Sequence, residues 1–301
     1  MKNVYEDRAT WVAFLVSVLI AGFNPLGVRF TVLELPPFWG AVIRFVPAAL
    51  ILAGIALARR LPLPRGRNLL GAVLYGLVSF GAGYFFLNQG LQKVQAGTAS
   101  TIMALAPLFT LLFAAAQRLE RFRWRSIIGA LLALAGVAVV YEGRGANGAP
   151  LVSMLAMAAG AACLAEGGLL IKRYPNSDPV TTNMVGMAVG SLVLFGASLL
   201  FHEKQVLPRL PATWAALVYL IIFGSCTIFV LNIYVLKRWP ASLVSYSFVM
   251  MPFISIAASA WLDHEKIRLA MFIGGVLVVS GVYFGALRKQ RVRAVEGSAA
   301  D

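Results

Sequence analysis

Apolar residues run along this chain in long stretches, with polar residues gathered into short intervals between them. Neither the alternation of a half-buried strand nor the one-sided stripe of a surface helix accounts for such runs, and a segment apolar on every side needs an apolar environment all round. About 20 apolar residues cross the ~30 Å of hydrocarbon in a bilayer, where backbone N–H and C=O groups have no water and must bond within the segment. The pattern therefore predicts ten membrane-spanning helices, over 10–30, 38–58, 69–92, 97–116, 124–142, 151–172, 180–201, 213–236, 241–262 and 268–287. The fold class expected is an all-α membrane protein with short connections and no soluble domain.

The polar punctuation repeats. Residues 87–136 carry Asn88, Lys93, Ser100, Pro107, Glu120, Arg123, Gly129 and Gly136, and residues 231–281 return Asn232, Lys237, Ser245, Pro252, Glu265, Arg268, Gly274 and Gly281. The first two pairs are offset by 144 and the others by 145, so one residue is inserted between Lys237 and Ser245. Further upstream, Pro36-Pro37 before span two has a counterpart in Pro179 before span seven, and Arg29 has one in Lys172. Leu, Ala and Val recur by chance in any two apolar helices; Asn, Lys, Pro and Glu in register do not. Ten spans divide into a first repeat at 1–142, a Gly-rich link at 143–150, a second repeat at 151–287 and a basic tail at 288–301. Five spans per repeat make the second copy enter the membrane from the opposite side. Such inverted repeats are the signature of transporters that expose one midplane site alternately to two sides.

Composition agrees with a bilayer environment: 60% hydrophobic residues, 13% charged residues and a mean hydropathy of +0.81. The formal charge of +14 would suggest nucleic acid in a soluble protein, but its distribution argues otherwise. With both termini on the cytoplasmic side, 18 basic residues fall in cytoplasmic positions and 6 outside, with Arg29 and Arg44 left within spans. The positive-inside rule thus selects an N-in, C-in orientation in an inner membrane and removes nucleic acid as a partner. The first apolar segment is too long for a cleavable signal peptide. Cys163 and Cys226 both fall within spans, so neither a metal site nor a structural disulfide is expected, and no cofactor is implied.

The strings LERFRWRSIIGALLALAGVAVVY (119–141) and HEKIRLAMFIGGVLVVSGVYF (264–284) resemble the end of the EamA repeat, with an acidic residue, a short polar turn and a Gly-spaced final helix. AGFNPLGVRF (21–30) and LPPFWGAVIRF (35–45) are similar to its opening. Together they cover most of the chain, which resembles a ten-helix member of the drug/metabolite transporter superfamily, EamA branch. That resemblance implies a central cavity lined by helices one, three, four, six, eight and nine, with five and ten at the periphery. It also implies transport, usually outward, of small metabolites, often amino acids. The Trp usual in the first-helix cluster is absent from Ala21-Gly22-Phe23-Asn24.

Polar and ionisable side chains within spans are costly and mark candidate sites. Glu166, in span six, could bind a substrate ammonium or carry a proton in a coupled antiport; structurally it could instead pair with Lys172. Asn24 next to Pro25 suits a loosened stretch of span one, where proline frees a carbonyl one turn back. Arg44 could meet a carboxylate, or extend to the interface. Asn88 and Asn232, as symmetry mates, either line the pathway or tie helices together. Tyr84, Tyr246, Met103 and Phe248 complete a cavity suited to amphipathic or aromatic solutes. Pro107 and Pro252, at matched positions inside spans, predict bent fourth and ninth helices. An intramembrane enzyme would need clustered acids, a histidine or a nucleophile with its base, and both His202 and His264 fall in loops. The partners expected are a small-molecule substrate and the lipid bilayer; whether the chain is a monomer or a dimer is left open.

Overall fold

The computed structural model describes residues 8–117, 150–174, 178–239, 246–262 and 269–282, with single helical positions at 128–129, 131–132, 135–136, 139 and 244. Every regular element among them is helical. Seven helices are long and apolar enough to cross a membrane: Arg8–Glu34, Pro37–Ala58, Arg67–Leu91, Thr98–Ala116, Leu151–Arg173, Pro179–Leu200 and Pro211–Leu236. They lie on spans one to four and six to eight. Shorter helices at Tyr246–Leu262 and Leu269–Val282 lie on spans nine and ten. The link up to residue 149, the tail 288–301 and the turn residues Glu120, Arg123, Glu265 and Arg268 lie outside the described residues.

These helices are apolar on both faces because each has two apolar neighbours. Leu52, Phe38, Phe45, Phe80, Met187 and Leu220 close the interior, while Leu50, Leu57, Leu192, Leu200 and Trp261 stand exposed on the outside. In water such a surface would aggregate; in a bilayer it faces lipid. Association inside lipid relies on close packing more than on the hydrophobic effect, so small residues sit where helices meet. Span seven packs on span two and on the middle of span three. There a Cβ on Gly76 would lie 2.7 Å from the Gly186 carbonyl oxygen. Spans five and ten meet in the same way, since a Cβ on Gly136 would lie 2.6 Å from the Gly274 carbonyl oxygen.

The duplication is visible as contacts. Arg29 in span one donates from Nη1 to the carbonyls of Leu91 and Gln92 at the end of span three (2.8 and 3.0 Å). Lys172 in span six donates from Nζ to the carbonyls of Leu236 and Trp239 at the end of span eight (2.6 and 2.9 Å). Each cation satisfies the orphan carbonyls and offsets the negative end of the helix dipole. Lys172 is therefore engaged with carbonyls and not with Glu166.

Spans three and eight share a second peculiarity. Each runs as α-helix, widens into a π-helical segment, at Gly76–Gly83 and Ile222–Thr227, and returns to α-helix. At the offset of 144, residues 222–227 fall on 78–83. The prolines within spans differ in their surroundings. Span one is unbroken through Pro25. Span four is broken, into Ala96–Met103 and Ala106–Ala116, and Pro107 lies in the first turn of the second piece, where its missing N–H costs nothing. Pro252 lies within Tyr246–Leu262, but its side chain is outside the described set.

Candidate functional site

A cavity sits at the centre of the bundle, with about 110 Å³ of space open to the centre of a water-sized sphere. That is of the order of an engineered cavity of ~150 Å³ that takes up benzene, so the room fits a small organic solute. Span one supplies Ser17, Ala21, Asn24, Pro25 and Val28; span three supplies Tyr84, Leu87, Asn88 and Leu91; span eight supplies Ile228, Phe229 and Asn232. Single residues or pairs come from span two (Arg44), four (Met103), six (Met157, Leu164) and nine (Ser247, Met251). The walls are mostly aliphatic, thioether and aromatic.

Two smaller cavities adjoin it. One shares Val28, Arg44, Tyr84 and Asn88 with the centre and extends to Pro37 at the start of span two. The other shares Leu164, Phe229 and Asn232 and extends to Ile171, Leu236 and Val244, at the end carrying Lys172. The three line up along the bundle, separated by the Arg44/Tyr84/Asn88 and Leu164/Phe229/Asn232 groups.

Polar contacts concentrate on one wall. Arg44 is 2% exposed and does not extend to an interface. Its Nε donates to Ser225 Oγ at 2.8 Å and its Nη2 to the Gly224 carbonyl, with Tyr84 Oη at 3.5 Å. The guanidinium lies against the rings of Phe45 and Tyr84, 4.9 and 5.1 Å from their centroids, a cation–π arrangement that fixes its plane. Asn24 Nδ2 donates to the same Gly224 carbonyl at 3.3 Å. Asn24 Oδ1 is buried with no hydrogen-bond partner among the described residues. Beside Pro25, the Tyr219 hydroxyl donates to the Ile20 carbonyl at 2.9 Å, one residue before the carbonyl of Ala21 that proline leaves without its helical donor.

The same geometry separates the sequence candidates. Asn24, Pro25, Arg44, Tyr84, Asn88, Met103 and Asn232 all line the central cavity. Asn88 also ties helices, donating from Nδ2 to the Pro37 carbonyl at 3.0 Å. Glu166 lines neither the central cavity nor its two neighbours. Its Oε2 accepts from Gln117 Nε2 at 2.7 Å, and Gln117 Oε1 accepts from Arg173 Nη2 at 2.7 Å, a chain joining the ends of spans four and six. The side chains of Tyr246 and Phe248 lie outside the described set. No group of three or more potential metal ligands occurs among the described residues.

The model of the EamA-like transporter family matches residues 9–142 and again 151–286. The chain belongs to that family. It is 30% identical to a probable terminal-alkyne amino-acid exporter of Streptantibioticus cattleyicolor, over 73% of each chain. It is 26% identical to a probable amino-acid metabolite efflux pump of Escherichia coli K12, over 96% of this chain and 99% of that one. A crystal structure 22% identical in sequence superposes with a TM-score of 0.68, covering 93% of this chain and 96% of the other, and so shares the fold. This is a multi-pass membrane protein of a transporter family.

The family resemblance implied a cavity lined by helices one, three, four, six, eight and nine. The structure adds Arg44 from span two. Sequence reasoning missed Gly224 and Ser225, which hold Arg44, and the sulfur-rich wall of Met157 and Met251. The signal for the first pair was present: Gly224-Ser225-Cys226-Thr227 is a cluster of small polar residues inside an otherwise apolar run.

Proposed function

We propose that the protein is a secondary transporter that exports small amphipathic metabolites across the inner membrane, amino acids with apolar or aromatic side chains foremost. The observation that carries the proposal is the central cavity, built from both halves of the chain with Asn88 and Asn232 in equivalent positions, apolar over most of its wall and charged at one end. Such a lining suits a solute with a charged head and an apolar body better than a sugar or nucleotide, whose many hydroxyl or phosphate groups would go unpaired. In this proposal the two five-helix halves are inverted repeats that rock about the site and expose it alternately, with both termini in the cytoplasm. A substrate shifts that balance only through its different affinity for the two states. The relatives named as a probable amino-acid exporter and a probable amino-acid metabolite efflux pump support the same substrate class.

The test is counterflow in proteoliposomes of the purified full-length protein, with labelled leucine, phenylalanine and a sugar as control. Accelerated exchange of the amino acids over protein-free liposomes is expected. No acceleration for any amino acid or related amphiphile would remove the substrate assignment.

A further inference from the structure

We propose that Arg44 and Asn24, gathered on the Gly224 carbonyl, form a zwitterion site: the Arg44 guanidinium takes the carboxylate and Asn24 Oδ1 the ammonium of an α-amino acid. The apolar side chain of that amino acid lies among Met103, Met157, Phe229 and Met251. The assignment rests on the exporter reading above and adds to it the atoms that recognise the head group.

Arg44 comes first because a guanidinium stays charged in any protein environment. Its partners among the described residues are a hydroxyl, a phenol and a carbonyl, all neutral, and these bonds use Nε and Nη2. They set the direction of the fork and leave Nη1 outside them. A full positive charge in a low-dielectric wall, held in one orientation and lining the cavity, is preorganised for an anion. A carboxylate fits better than a phosphate. Arg44 is the sole cation among the described residues that line the cavity, so one negative charge is matched and two are not.

Asn24 supplies the complement. Its amide nitrogen is committed to Gly224, and its oxygen is buried without a hydrogen-bond partner among the described residues. An unpaired buried acceptor has a desolvation cost that an N–H donor removes, and an ammonium offers three. Sharing one acceptor keeps Arg44 Nη2 and Asn24 Nδ2 within about 6 Å of each other and so sets the two polar side chains side by side. An amino acid carries its carboxylate and ammonium on a single carbon, which suits two polar side chains placed side by side. Gly224 is placed for the purpose by the π-helical segment Ile222–Thr227, a form of helix that recurs at functional sites. A Cβ on Gly224 would collide with Asn24 Oδ1, so the backbone there has room for the amide because the residue is glycine.

The proposal is tested by competition in the counterflow assay with three compounds sharing one side chain: phenylalanine, its methyl ester, which lacks the carboxylate charge, and 3-phenylpropionate, which lacks the ammonium. Against wild type, each analogue is expected to compete at least about tenfold more weakly than phenylalanine, the scale of one lost charge-assisted bond. In Arg44→Gln the preference for phenylalanine over its ester collapses while the preference over 3-phenylpropionate persists; Asn24→Leu does the reverse. Ser225→Ala, which keeps the charge but loosens its hold, lowers the ester discrimination severalfold and serves if Arg44→Gln does not fold. Wild-type protein that takes the ester as well as the acid overturns the site. So do variants that lower flux with both ratios unchanged, which would assign Arg44 to holding helices together. In either case amino-acid flux still stands, whereas absence of all amino-acid counterflow removes the exporter reading itself.

Discussion

The approach of span seven to span three makes a quantitative prediction with its control on the same helix. A Cβ built on Gly190 would lie 2.2 Å from Phe80 Cβ, 2.9 Å from the Phe80 carbonyl carbon and 3.1 Å from Gly81 N. Two of those three atoms are backbone, so no rotamer change makes room, and Gly190→Ala must push the helices apart by about 1 Å to reach ordinary contact. Overpacking of that kind costs ~1–3 kcal/mol. Gly196, further along span seven, has nothing within 4 Å of its built Cβ. Gly196→Ala therefore changes backbone entropy alone, and since Gly190→Ala shares that change, the difference between the variants isolates the contact. At about 2–4 °C per kcal/mol for a chain of this size class, Gly190→Ala should melt roughly 2–12 °C below Gly196→Ala. Thermal unfolding in detergent, followed by size-exclusion chromatography, reads the difference. Coincident midpoints would show that the two backbones do not meet as described.

Three further outcomes are expected. Lys172→Met and Arg29→Met each strip a charged donor from the last carbonyls of a long helix and should each destabilise by ~1.5–3 kcal/mol in the same assay, with Lys172→Arg avoiding most of that loss; equal midpoints for Met and Arg would deny the caps a role. Glu166→Gln should leave amino-acid counterflow within about twofold of wild type, because the side chain serves the Gln117–Arg173 chain away from the cavity; abolished flux together with lost sensitivity to a pH gradient would make Glu166 the proton carrier. Deleting Ile222 from the π-helical segment should return span eight to α-helix with its flanks in register, so the protein folds but loses the Gly224 wall, whereas deleting Val218 from the preceding α-helix rotates everything beyond it by about 100° and should prevent folding. Equal yields from the two deletions would refute that distinction.

How much of this was readable in advance depends on what each residue reports. Long apolar runs report their own secondary structure, because lipid permits little besides helix, and the seven long spans fall where the runs predict. The pairing of Arg29 with Lys172 was readable from register alone, and the structure gives both residues the same task at opposite copies. Glu166 was not readable. A charge within a span says that it needs a partner, not which face it is on: Ala165 lines the cavity near Lys172, Gly167 faces Ser79, and Glu166 between them turns to Gln117. Pro107 was readable only in part, since proline is compatible with the first turn of a helix as well as with a kink. The π-helical segments left no distinct sequence mark beyond their small residues, because i→i+5 bonding depends on the neighbours that receive the widened turn.

Those segments explain where the two halves stop being copies. Phe80 and Gly81 in span three correspond to Gly224 and Ser225 in span eight at the offset of 144. The first pair is met by Gly190 of span seven, and the junction closes backbone against backbone. The second pair is met by Arg44 of span two, and the same junction, on the opposite copy, is filled by a guanidinium that takes the Gly224 carbonyl and the Ser225 hydroxyl. Duplication supplies two equivalent joints, each with a widened helix turn against a neighbouring span. Glycine at one makes a wall, because nothing polar is left to satisfy. Arginine at the other cannot be closed in that way: its charge must face something, and the space it faces is the central cavity. The asymmetry of the cavity thus accompanies a difference in side-chain size and charge between the two joints, and removing the charge, with Arg44→Gly, should remove the charged end of the cavity while leaving the joint of Gly190 intact.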